Sequence, residues 1–107
     1  MAVKTTNYVN EQKGVTLPVA YGVLEGIKVR NNNYVTAVFA VKASREHVGS
    51  VDTVNVSFTW DRKTNLAEMA YNEAKGQKIV EDFNYETGEP IQVTVNGPFY
   101  GWEDDRI

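Results

Sequence analysis

The chain has 107 residues, 42% of them hydrophobic and 23% charged, with a formal net charge of -3 and no cysteine. That length suits a single domain able to bury roughly 60–70% of its unfolded surface, and the missing thiols exclude disulfides, thiolate nucleophiles and cysteine-held zinc. The acidic balance offers no footprint for phosphate backbones or anionic lipid, which need clustered Lys and Arg, so neither nucleic acid nor membrane is expected as a partner.

Residues 1–16 are polar and weakly patterned, and are expected to form an N-terminal arm, either loose or adding a strand to a neighbour's open edge. They lack the apolar stretch of a secretory signal, and no later run approaches the ~20 apolar residues that span a bilayer, so a soluble protein made in the cytoplasm is expected. Pro18 bars a helix and biases Leu17 towards extended backbone. Over 19–29, the apolar odd positions Val19, Tyr21, Val23, Ile27 and Val29, interrupted by Glu25, predict a strand with one buried face. Gly22 and Gly26 fall on the other face, where glycine marks a bulge or a close approach.

Asn31-Asn32-Asn33 is the clearest turn, because asparagine tolerates left-handed dihedrals and bonds its own backbone. It leads into a central strand over 34–42, with Val35, Ala37, Phe39 and Val41 on one face. A polar connection with Gly49 follows, and 53–60 alternates without interruption: Val54, Val56, Phe58 and Trp60 inward, Thr53, Asn55, Ser57 and Thr59 outward.

The pattern then becomes helical, with Leu66, Met69, Ala70 and Ala74 at helical spacing. Asn65 and Glu68 form a capping-box pair, Lys75 complements the helix dipole, and Gly76 is expected to supply a left-handed stop. Segments 79–85 and 91–95 read as a hairpin around Glu86-Thr87-Gly88-Glu89-Pro90, free to join the first sheet or stand apart from it.

The prediction is an α+β fold: an antiparallel meander with one short helix packed across it, then a hairpin and an extended aromatic tail. The domain spans 17–96 and the tail 97–107. Trp60 is the expected structural anchor between sheet and helix, and its replacement by alanine would cost about 3–5 kcal/mol.

No residue pattern marks a catalytic, cofactor or metal site. His47 is the single histidine, in a polar loop without a second histidine or cysteine, and reads as a solvated side chain. The acidic groups Glu81-Asp82, Glu86 with Glu89, and Glu103-Asp104-Asp105 lack the ligand spacing of a calcium loop and read as solvated charge against edge aggregation. The tail offers Phe99, Tyr100 and Trp102, amphipathic rings of the kind enriched at protein interfaces and on sugar-binding platforms. Two readings stand: all three contact a partner, or Phe99 and Trp102 fold back onto their own sheet.

The run Val56-Ser57-Phe58-Thr59-Trp60-Asp61 followed by Thr64-Asn65-Leu66-Ala67-Glu68-Met69-Ala70-Tyr71-Asn72-Glu73-Ala74-Lys75 resembles small proteins encoded near the tail genes of tailed bacteriophages. Those relatives similarly combine a meander, an aromatic-rich strand ending in an acidic residue, and a short helix holding an alanine-tyrosine pair, here Ala70-Tyr71. The resemblance covers about residues 15–76. It implies the setting of a phage particle and no catalytic residue. The leading expectation is therefore a non-enzymatic structural or accessory virion component, in tail, baseplate or head decoration, synthesised in the bacterial cytoplasm and contacting itself and other virion proteins as an oligomer. The alternatives are a small carbohydrate-binding module, with Tyr100, Trp102 or Trp60 as stacking face, and a phage factor that binds a host protein.

Overall fold

A computed structural model describes residues 2–44, 46 and 49–105. In chain order it contains β1 (Ala2–Asn10), β2 (Val15–Val29), β3 (Tyr34–Lys42), β4 (Asp52–Thr59), α1 (Leu66–Lys75), β5 (Gln77–Asn84), β6 (Glu89–Asn96) and β7 (Glu103–Asp105). The fold is α+β, mostly antiparallel sheet with one short helix. One sheet has five strands in the order β4-β3-β2-β1-β7, and β5 and β6 form a second, two-stranded sheet.

Residues 1–16, expected as an arm, contain β1, which lies between β2 and β7 with Ala2 and Val3 buried. Its pattern is obscured in the sequence because Asn7 takes a left-handed φ of 56° opposite Pro18, which has no N–H to pair. On the far side of this break Tyr8 and Leu17 turn towards the core, so neither strand keeps one alternation along its length.

β2 corrects the sequence reading in the same way. Ala20 and Gly22 are the buried positions, Leu24 packs on the core beside them, and Val19, Tyr21 and Val23 take the outer face. The register slips between Leu24 and Gly26, a bulge that moves the inward face to the odd position Ile27. The helix repairs this break: the Leu24 N–H donates to the Tyr71 hydroxyl at 2.8 Å. Gly22 is required by a close approach, since a Cβ there would lie 2.6 Å from Phe99 Cζ and 2.9 Å from Val3 Cγ2.

β3 and β4 follow their predicted faces, with Val35, Ala37, Phe39, Val56 and Phe58 buried, and β3 is flanked on both sides. At the β2–β3 turn Asn33 has the left-handed φ of 62° anticipated for asparagine, and its side chain accepts from Arg62 Nε at 2.7 Å. Trp60 is half-buried against the core, and its indole N–H donates to the Thr64 carbonyl at 2.9 Å, so it braces the turn into α1. Asp61 accepts from the amides of Thr64 and Lys63 in that turn; these bonds to the ionised form hold its carboxyl below its ordinary pKa.

Asn65 caps α1, its side chain accepting from the Glu68 N–H at 3.1 Å, and Ala70, Tyr71 and Ala74 face the sheet. Gly76 does not supply the expected left-handed stop. Its φ of -85° and ψ of -175° are extended, because the chain runs straight from the helix into β5.

Candidate functional site

The β5–β6 hairpin is almost wholly exposed, with two half-buried residues, Asn84 and Val93, in its strands. Gly76 and Gly97 bracket it, and the Gly97 N–H donates to the Gly76 carbonyl at 2.8 Å, so the chain leaves and re-enters the body at one point. Lys78 anchors the base, donating to the Ser57 carbonyl at 3.0 Å and lying 3.1 Å from a Glu73 carboxylate oxygen. Beyond that anchor the strands carry large apolar side chains in solvent: Ile79 is 69% exposed, Phe83 47% and Tyr85 90%.

The register defines two faces. Lys78 with Val95, Val80 with Val93 and Asp82 with Ile91 share one; Ile79 with Thr94, Glu81 with Gln92 and Phe83 with Pro90 share the other. The first looks into a crease of about 190 Å³, where Lys78 and Val95 meet Asn55, Ser57 and Glu73 of the body. The second, with Tyr85 in edge-to-face contact with Phe83 at 5.3 Å, looks away from it. The sequence predicts a hairpin over 79–95 with solvated carboxylates, but not its exposed apolar side chains. The available signal was the lack of a purely apolar face: Glu81 and Asp82 put a carboxylate on each side of a strand that otherwise reads as core.

The tail residues separate. Phe99 is 1% exposed, with its ring edge-to-face against Phe39 at 5.2 Å, so it packs in the core as the fold-back reading has it. Trp102 is half-buried, 4.5 Å from Phe99 and 6.0 Å from Tyr8 between ring centroids. Tyr100 is 49% exposed and remains a contact candidate. After these rings the chain forms β7 on the edge of β1, tied to the helix end by Lys75 and Asp104 at 2.7 Å.

Close to Tyr100 in sequence, Gly101 and Glu103 line a depression of about 340 Å³ on the outer face of β1 and β2, with Lys4, Thr6 and Tyr21. Across the sheet, Asp52 accepts from Lys13 at 2.8 Å and Asn10 at 2.9 Å. The Lys13 bond is the main cause holding its carboxyl below the ordinary value, against the opposing effect of burial. Among the described residues no group of three or more His, Asp or Glu is placed to hold a metal ion, and no helix is long and apolar enough to cross a membrane. His47 lies outside the described residues. No protein-family model, no curated protein and no solved structure matches the chain.

Proposed function

We propose that the protein is a non-enzymatic structural or accessory component of a tailed-phage particle, in its tail, baseplate or head decoration. It works by packing against copies of itself and against other particle proteins. The observation that carries this reading is the β5–β6 hairpin, which holds Ile79, Phe83 and Tyr85 in solvent on a two-stranded sheet. Two strands alone are marginally stable in water, and large apolar side chains on such an element gain stability when another surface covers them. The resemblance of 56–75 to small proteins encoded near phage tail genes supplies the setting. Mass spectrometry of purified particles should find the chain at a stoichiometric level, and its absence from intact particles would refute the assignment.

The depression beside Glu103 favours a second reading, a carbohydrate-binding module. Tyr21 gives it a ring face, while Lys4, Thr6 and Glu103 give hydroxyl-matching donors and acceptors. A glycan array that stays blank would remove it.

A further inference from the structure

The distribution of charge identifies what the hairpin meets. Between 77 and 96 a single cation, Lys78, stands against Glu81, Asp82, Glu86 and Glu89, so the hairpin alone carries a net charge equal to the -3 of the whole chain. The remaining residues balance. Among the described residues no ion pair engages any of these four carboxylates. A hairpin packed on the same hairpin of a second molecule would bring like charges together, which disfavours a symmetric contact through this element.

The opposite charge lies at the turn end of β2 and β3. Lys28 and Arg30 flank a depression of about 350 Å³ with Thr36 and Val38, and Gly26 leaves bare backbone on its floor, where an added Cβ would meet nothing within 4 Å. Exposed Arg62 and Lys63 follow one turn away, and Tyr34, 39% exposed and two residues from Thr36 on the same strand face, gives an apolar rim. The only carboxylates close by in sequence are Glu25 and Asp61, and Asp61 is occupied by its own turn. This cluster adjoins the start of α1, whereas the hairpin springs from its end, ten residues or about 15 Å along the axis.

From these observations, and resting on the reading that the protein acts by contact with its own copies, we infer that the hairpin of one molecule docks on the Lys28–Arg30 depression of a second. The outward face bearing Ile79, Glu81, Phe83 and Tyr85 meets the groove, an aromatic ring covers Gly26, and the flanking carboxylates meet the cations. Tyr85, 90% exposed, brings nearly a whole ring and Phe83, 47% exposed, about half of one, so with Ile79, Pro90 and the charged rim the contact is a small one, below the ~800 Å² per partner of a standard interface and dependent on its charge pairs. Because the two surfaces differ, the contact is head-to-tail and propagates to a ring or a filament.

The test is solution mass by light scattering over a concentration series at low and high salt. The wild type should grow beyond a monomer at low salt and lose most of that association at about 0.5 M salt. Two exposed charge reversals, Glu81→Lys with Glu86→Lys, and Lys28→Glu with Arg30→Glu, should each weaken association by about tenfold or more. An equimolar mixture of the two variants should regain it, because each then supplies the surface the other lacks. Circular dichroism confirms that both variants are folded.

A wild type that is monomeric throughout, a closed dimer, or association indifferent to both reversals would overturn the inference, as would a mixture that fails to recover. The virion assignment is judged separately. A chain found in particles but monomeric in solution sinks only the docking mode, and salt-sensitive head-to-tail assembly of a chain absent from particles sinks only the virion assignment.

Discussion

Phe99 packs directly on the backbone of Gly22 in the core. A methyl at Gly22 would enter the Phe99 ring, so Gly22→Ala should destabilise by about 1–3 kcal/mol and Phe99→Ala by about 3–5 kcal/mol. The two effects should be non-additive in denaturant titrations, with Gly22→Ala costing less once the ring is gone. Asp52 yields a pH dependence. Its folded pKa is depressed, so its contribution is complete above the ordinary carboxylate value of 3.8 and disappears as pH falls through the lower folded value. Asp52→Asn should therefore cost about 1 kcal/mol in urea titrations at pH 7, and that difference should shrink towards zero as acidification passes below the depressed folded value.

At the scale of elements, legibility followed the regularity of the backbone. The alternation over 53–60 and the asparagine turn were readable because each obeys one local rule, and so was the Asn65 cap. β1 was not, and β2 was readable as a strand with a glycine-marked bulge or close approach but not in its inward face, because Asn7 and the bulge at Glu25 each invert which side chains face inward, and a period-two reading assumes that no inversion occurs. The bulge also ties two elements together. Tyr71→Phe removes the oxygen that accepts from Leu24 and should cost about 1–3 kcal/mol, visible as faster hydrogen exchange at that amide. Of the candidate contact residues, Tyr100 was legible as a surface aromatic. For Phe99 folding back onto the sheet was one of two open readings, and the sequence could not choose it, since nothing in 97–102 announces that Gly22, far away in sequence, leaves a space of its shape.

For the whole molecule, the Cα radius of gyration of 15.7 Å exceeds the ~13 Å of a compact chain of this length, and the extents are 48 × 35 × 20 Å. The hairpin accounts for part of this elongation, and its ends meet where Gly97 bonds Gly76. Replacing 77–96 with a two-residue linker should leave the five-stranded sheet folded, with near-ultraviolet circular dichroism retained and the melting midpoint lowered by no more than about 5 °C. Collapse of the near-ultraviolet signal would show instead that the hairpin supports the body.

The pairing of β7 with β1 joins Lys4 to Glu103, positions at opposite ends of the 107 residues. During synthesis on the ribosome, β1 to β4 can emerge and pair long before the segment bearing Phe99 exists. The nascent sheet therefore shows an open slot above Gly22, lined by Val3, until the last part of the domain is translated. Arrival of Phe99 is then the step that fills the slot and converts a partly packed sheet into a closed one.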